Sequence, residues 1–405
     1  MTNRGAGGTR SYDVAKHMVA SGHEVHMICG IYDVSGLAPM PWYQWFRREV
    51  MDGIQVTVCN APYSNHFGGI KRLWSFLGFG VLATISCLRV GRVDLVFATS
   101  TPLTVAIPGM LGASLKRVPF VFEVRDIMPE AYVESGAMKP GLSVWLAERL
   151  EAKAYKSARR ILLVSPGFEK RLKDRGLPPE KLKTICLGAD GNLFIDAEPD
   201  EQFIKDHGLE GKTVAIFTGA HGRANGLYYV LDAAEQTKDR DDIRYVLIGE
   251  GREKPNLQQQ AKERGLTNVV FADAVPKERL VGILAASHIG LMILRYYGKP
   301  RPVLPNKIFD YMFMGMPTLV NFRGPTADLV EKHRCGVLVD PEKPEEMAEQ
   351  VKLLADDPEK RKELGERAKE VAWRRFDRKV IADELADTFA EVVGNVRGAA
   401  DEESD

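Results

Sequence analysis

The pattern of apolar and polar positions divides the chain into two series of short β-branched runs that alternate with helical stretches. In the first half the runs fall at Glu24–Cys29, Gly53–Cys59, Asp94–Ala98, Pro119–Val124, Arg160–Ser165 and Lys183–Leu187. In the second half they fall at Thr213–Thr218, Arg244–Gly249, Asn268–Ala272, His288–Ile293, Thr318–Asn321 and Gly336–Val339. Amphipathic stretches such as Gly226–Thr237, Pro255–Arg264 and Glu345–Leu354 separate them, with apolar residues recurring every three or four positions. Alternation of this kind predicts parallel sheets with helical crossovers.

The strand pattern stops around residues 189–202, where Ala197-Glu198-Pro199-Asp200-Glu201 is polar and contains proline. A linker there gives an N-terminal domain over residues 1–195 and a C-terminal domain over residues 203–375. Residues 376–395 form a last helix, expected to pack back on the first domain. Residues 398–405 are small and acidic and expected to lack regular structure. The predicted fold is α/β, two doubly wound Rossmann-like domains facing each other across a cleft, with ligands at the carboxyl ends of the strands. The first domain departs from this scheme at its start. Gly5-Ala6-Gly7-Gly8-Thr9-Arg10 leads directly into the helical stretch Ser11–Ser21 with no strand before it, so the first strand of that sheet is expected to be missing.

Composition narrows the function. Lys plus Arg and Asp plus Glu each number 55 in 405 residues, so the formal net charge is zero and no global field favours nucleic acid. The five cysteines lack metal-type spacing and read as small buried hydrophobes in a reducing, cytoplasmic compartment. The opening residues carry no apolar signal-peptide stretch. The most apolar segment, Trp74–Leu88, is bracketed by Lys71, Arg72, Arg89 and Arg92 and is shorter than the ~20 residues of a spanning helix. A buried core helix and a membrane-facing helix with basic flanks both fit it.

Three loops at predicted strand ends carry the candidate chemistry. The first is Thr218-Gly219-Ala220-His221-Gly222-Arg223-Ala224-Asn225-Gly226, where backbone amides and the Arg223 fork suit phosphate oxygens. The second, Gly249-Glu250-Gly251-Arg252-Glu253-Lys254, adds two more cations. The third is Leu304-Pro305-Asn306-Lys307-Ile308-Phe309-Asp310, opening a helix that Gly315 and Pro317 end. The amides at that helix start, with Lys307, favour an anion, and Asp310, one turn beyond Asn306, is placed to accept ribose hydroxyls. An ordinary capped core helix fits the same residues. In the first half, Glu123-Val124-Arg125-Asp126-Ile127-Met128-Pro129-Glu130 brings an Arg–Asp pair and a further carboxylate to a strand end, where a structural salt bridge is the plain alternative. No His–carboxylate–Cys set suggests a metal.

At these residues the chain resembles family-4 glycosyltransferases of the GT-B fold, and is similar to the branch that includes N-acetylfucosaminyl transferases of surface-polysaccharide synthesis. The similarity runs through Ser21-Gly22-His23-Glu24-Val25, Arg125–Glu130, Gly188-Ala189-Asp190, Leu193-Phe194, Gly249-Glu250-Gly251 and Pro305–Pro317. The resemblance implies retaining transfer of a sugar, an N-acetylated hexosamine, from a nucleotide-diphosphate donor in the C-terminal domain to a lipid-linked or polysaccharide acceptor. It implies no metal or other cofactor, and a peripheral place at the inner face of the cytoplasmic membrane. Gly219, Gly222, Arg223, Gly249, Arg252, Lys254, Asn306, Lys307 and Asp310 would hold the donor. Arg125, Asp126 and Arg223 would serve catalysis, and Gly7, Gly8, Arg10 and Glu130 would lie on the acceptor side. Two positions depart from the family: Pro302 replaces the first acid of its paired-acid motif, and Asn225 replaces a diphosphate-binding lysine. A catalytically silent sugar-nucleotide-binding protein and a nucleotide-sugar epimerase are the alternatives.

Overall fold

The structure, a computed structural model, describes residues 10–32, 36–64, 67–134 and 138–402, with side chains up to residue 394. The expected Gly5–Thr9 loop, with Gly7 and Gly8, lies outside the described residues, as does any strand before it. The chain divides into two compact units, Met1–Cys186 with Ile381–Asp405, and Leu187–Val380.

Unit 1 contains strands β1 (His26–Tyr32), β2 (Phe46–Met51), β3 (Ile54–Tyr63), β4 (Val96–Thr99), β5 (Phe120–Val124), β6 (Arg160–Leu163) and β7 (Leu182–Thr184). Its helices are α1 (Arg10–Ala20), α2 (Gly69–Arg89), α3 (Ala106–Lys116), α4 (Glu130–Glu134), α5 (Leu142–Ser157) and α6 (Pro166–Asp174). Among the described residues the strands form two sheets, β1-β3-β2 and β4-β5-β6-β7. Every pairing is parallel except that of β2 with β3. Helix α1 serves both sheets. Val14 and Met18 pack with Val121 and Leu162, while Tyr12 and Ala15 pack with Ile54, Val56 and Val58.

Unit 2 contains β8 (Thr213–Thr218), β9 (Ile243–Ile248), β10 (Val269–Ala272), β11 (Ile289–Met292), β12 (Thr318–Val320) and β13 (Gly336–Leu338). Its helices are α7 (Glu201–His207), α8 (Tyr228–Glu235), α9 (Lys254–Glu263), α10 (Lys277–Ala285), α11 (Lys307–Phe313), α12 (Pro325–His333), α13 (Pro344–Asp356) and α14 (Pro358–Arg375). The six strands are parallel in the order β10-β9-β8-β11-β12-β13, which is the doubly wound order 3-2-1-4-5-6. Phe217, Tyr245, Leu247 and Leu291 are fully buried, as a parallel sheet covered on both faces requires. Local chemistry sets the helix ends. Asp200 accepts from the Phe203 amide to start α7, and Asp357 accepts from Lys360 to start α14, each followed by a first turn in which the cap removes an orphan donor.

The last helix, α15 (Arg378–Glu402), packs Ile381, Ala382 and Leu385 into the unit 1 core beside Val121 and Leu162. Residues 398–402, expected to lack regular structure, continue α15, and 403–405 lie outside the described residues. The division between units falls at Cys186/Leu187 rather than after residue 195, for a local reason. The stretch that follows is tied into unit 2, with Gly191 N donating to Asp377 and Phe194 stacked on Phe313. Helix α2 also exceeds the apolar run that marks it. It spans 21 residues, and by length and composition alone could cross a membrane.

Candidate functional site

The carboxyl ends of β8, β9 and β10 and the start of α11 meet in unit 2. Two contacts fix α11 there. The Tyr311 hydroxyl accepts from the Thr218 amide at 3.0 Å, locking the helix to the end of β8. The Tyr311 ring lies over Gly290 of β11, where a Cβ would approach within 2.4 Å, so only glycine admits it. Helix α11 has seven residues, and the exposed Asn306 at its N-cap makes no side-chain capping bond. Anion chemistry at this point therefore rests on Lys307 itself.

Lys307 points beneath the β8 loop. Its Nζ lies 3.5 Å from the centre of the Phe217 ring, and a Cβ on Gly219 (φ +135°) would come within 3.1 Å of it. Among the described residues no carboxylate pairs with this ammonium. Burial lowers its pKa from the usual lysine value to about 7. A lysine held desolvated over an aromatic face without a counter-ion is poised to gain from an anionic ligand. Arg223, in the short 3-10 turn Arg223–Asn225, and Arg252, in the β9 loop, are exposed, and neither forms an ion pair among the described residues. Three cations thus border the same set of loops.

The glycines bring the two loops into direct contact. A Cβ on Gly249 (φ +148°) would sit 1.9 Å from the Gly219 carbonyl oxygen, and one on Gly251 would sit 2.3 Å from that of His221. These residues let one loop lie directly on the other, and Gly222 alone meets open space. His221 is enclosed where the loops cross, between Phe217 and Phe271. Burial, reinforced by the Lys254 and Lys307 charges, lowers its pKa to about 4, so the ring is neutral near pH 7. Neither ring nitrogen has a hydrogen-bond partner among the described residues. Asn225, where the family carries a lysine, donates to the Ala220 carbonyl at 2.6 Å and so braces the loop from within.

Two expected donor residues are engaged by the protein. Lys254, 7% exposed, donates to Asp273 (2.5 Å), Glu250 (2.8 Å) and the Ala272 carbonyl (3.2 Å). Burial acts to lower its pKa, but the two carboxylates outweigh it and hold the ammonium charged. Lys254 clamps the β9 loop to the β10 loop. Asp310 is nearly buried, and its Oδ2 pairs with Lys277 Nζ at 2.6 Å. The carboxylate keeps accepting capacity, with its orientation fixed from α10. Sequence reasoning missed Lys277 and Asp273. Both follow the predicted strand Asn268–Ala272, so reading that fourth strand-end loop as the other three were read would have found them.

In unit 1 the buried Glu123 organises the strand end. Its Oε1 accepts from Arg10 Nη2 (2.8 Å) and Nε (3.1 Å), and its Oε2 from Thr99 Oγ1 (2.6 Å). Burial alone would raise its pKa. The charges of Arg10 and Arg125 and the hydrogen bonds from Thr99 and Arg10 hold it below the usual carboxylate value. Arg10, 4% exposed, also donates to the Cys186 and Ile185 carbonyls, so it ties α1 to β5 and to the chain after β7. Glu130 accepts from Arg171 Nη1 at 2.5 Å. Arg125 donates its amide to Ser100 Oγ at 3.0 Å. Asp126 keeps solvent access, and desolvation by the surrounding chain raises its pKa while Arg125 opposes the shift. Arg125 is partly exposed, with its Nε 4.0 Å from Glu123 Oε2, and Asp126 is exposed. No group of three His, Cys, Asp or Glu side chains among the described residues could hold a metal ion.

Comparison with known proteins gives this arrangement a context. Residues 5–188 match the glycosyl transferase 4-like domain, and residues 199–371 match the glycosyl transferases group 1 domain. The chain is 24% identical over 252 residues to alpha-D-kanosaminyltransferase of Streptomyces kanamyceticus, a match covering 61% of this chain and 64% of that one. It is 23% identical over 322 residues to WcaI of Escherichia coli strain K12, named as a colanic acid biosynthesis glycosyl transferase, over 75% and 76% of the two chains. Among solved structures, Anabaena Alr3699/HepE in complex with UDP superposes with a TM-score of 0.65 at 21% identity, over 84% of this chain and 87% of that one. The sucrose-phosphate synthase of Thermosynechococcus elongatus reaches a TM-score of 0.74 at 16% identity, over 96% and 94%. The fold is GT-B, and the chain, matched by both family models in succession, belongs to the glycosyltransferases as a 4-like domain joined to a group 1 domain.

Proposed function

We propose that this protein transfers a sugar, with retention of anomeric configuration, from a uridine-diphosphate donor to a lipid-linked or polysaccharide acceptor. The observation that carries the reading is the Lys307 ammonium beneath Gly219, which no carboxylate among the described residues compensates, with the exposed Arg223 and Arg252 on the same loops. A diphosphate seated against these groups supplies the missing counter-charge, and the same cations stabilise it as it departs. Charge stabilisation by fixed cations requires no metal. Asp310, oriented by Lys277, accepts the ribose hydroxyls in unit 2, and Arg125 and Asp126 of unit 1 are the residues we assign to catalysis. The choice of uridine is supported by the UDP bound in the Anabaena neighbour. An N-acetylated hexosamine is the sugar we favour, from the resemblance of Pro305–Pro317 to the N-acetylfucosaminyl transferase branch. The acceptor is reached at the inner face of the cytoplasmic membrane.

The test is a transfer assay with UDP-N-acetylhexosamines and polyprenyl-diphosphate-linked sugars in excess EDTA, with the product anomer read by NMR. The proposal expects acceptor-dependent release of UDP and a product with the donor's anomeric configuration. An inverted product would overturn the mechanism, and isomerisation of the donor sugar without acceptor would establish an epimerase instead.

A further inference from the structure

Helix α2 presents an apolar face to solvent along its whole length. Ile70, Leu73, Trp74, Leu77, Val81 and Leu88 are all exposed, Ile70 by 78% and Trp74 by 69%. They recur at helical spacing on one side, while Gly80, Ala83, Ser86 and Cys87 face the protein. The inner side is tightly packed, since a Cβ on Gly112 of α3 would lie 2.3 Å from Cys87 Sγ. Only 22% of the helix's most apolar window is buried inside the fold. The patch continues onto the neighbouring helices, with Leu111 and Leu115 exposed on α3 and Leu142, Trp145 and Leu146 exposed on α5. A monomeric soluble surface seldom displays so much contiguous apolar area without a partner.

Charge identifies the partner. Between Gly69 and Arg92 the chain carries Lys71, Arg72, Arg89 and Arg92 and no acidic residue, and α3 ends in Lys116-Arg117 with none either. The cations stand at both ends of the apolar stripe. Arg149 lies over the Trp145 ring at 4.8 Å, placing a further cation beside an interfacial aromatic. Apolar side chains bordered by cations match an anionic bilayer surface, with acyl chains meeting the stripe and headgroups meeting its ends. A helix held against β3 and α3 by its small-residue side lies in that interface rather than crossing it.

We propose that α2, α3 and α5 form a docking surface for anionic phospholipid, with α2 lying in the membrane plane and Trp74 inserted below the headgroups. The proposal rests on the reading that the acceptor is lipid-linked, since a docked enzyme meets such an acceptor by lateral diffusion. Its test requires no turnover. The full chain is sedimented with phosphatidylcholine vesicles and with phosphatidylcholine–phosphatidylglycerol vesicles, at low and high salt, beside the W74E/L77E and K71E/R72E variants. UDP binding is measured in parallel to confirm intact unit 2.

Wild-type protein is expected to partition onto anionic vesicles at least about tenfold better than either variant, with high salt weakening the electrostatic part. Tryptophan emission is expected to be quenched by brominated lipid, and less so in Trp74→Phe. Equal partitioning of wild type and both variants would overturn the proposal. So would self-association of the wild type abolished by W74E/L77E with no vesicle binding, which would assign the face to a second protein chain. Vesicle binding by a protein that transfers no sugar would keep the docking surface and count against the transferase reading alone.

Discussion

Replacing Lys307 with Met weakens UDP binding by roughly ten- to a hundredfold, the value of about 1.5–3 kcal/mol for a charge-assisted contact. The thioether keeps the stem packing on Phe217 and removes only the ammonium. Titration supplies the diagnostic. The free protein's Lys307 has a pKa of about 7, and an adjacent diphosphate raises it. Binding therefore takes up a proton above pH 7, and affinity falls as pH rises, by up to about tenfold per unit. Lys307→Met loses that slope. Stability moves the other way. A lysine whose folded pKa is depressed binds fewer protons folded than unfolded, so it costs stability below its unfolded pKa of ~10.4. The Met variant should thus melt no lower than wild type, and calorimetric titration beside thermal unfolding separates lost binding from lost fold. Unchanged affinity and slope would remove Lys307 from the site.

The second large effect is structural. Glu123→Gln should destabilise unit 1 by about 3–5 kcal/mol, because it leaves the buried Arg10 guanidinium without its counter-charge. Four of the five tryptophans (Trp42, Trp45, Trp74 and Trp145) lie in unit 1, so the urea transition followed by their emission reports on it. Arg10→Met combined with Glu123→Leu should recover most of the loss, as removal of both partners leaves no buried charge. The pH sign follows from the depressed Glu123 pKa. Its contribution is present above the unfolded glutamate value of ~4.3 and is lost as pH falls through the folded value. A Glu123→Gln protein that unfolds at the wild-type urea concentration would show that the pair is not holding the strand ends together.

How far the sequence reaches depends on whether the information is local. Strands built from continuous β-branched runs are legible because a parallel sheet buries both faces, and each run predicted from the pattern lies on an observed strand. β2 (Phe46–Met51) escaped because Arg47-Arg48-Glu49 interrupts its apolar signal at the edge of its sheet. The length of α2 was underread for a related reason: its first turn carries Lys71 and Arg72, which look like a boundary and are the cationic end of a continuous helix. The candidate site was legible as a set of strand-end loops. Which cations remain free was not, because pairing is decided in three dimensions. Lys254 is neutralised by Asp273 nineteen positions away, Asp310 is met by Lys277, and Arg10 is consumed by Glu123 across 113 positions. Glycine roles were hidden in the same way. Gly249 and Gly251 answer to the backbone of a neighbouring loop, which no local pattern records.

The measurement that bears most directly on the central claim is calorimetric titration of the protein with UDP, GDP, ADP and dTDP in excess EDTA. The account predicts that UDP binds selectively, without metal, at one site per chain, and with an affinity that declines above pH 7. Binding that appears only on adding a divalent cation, or no binding of any of the four to well-folded protein, would contradict it.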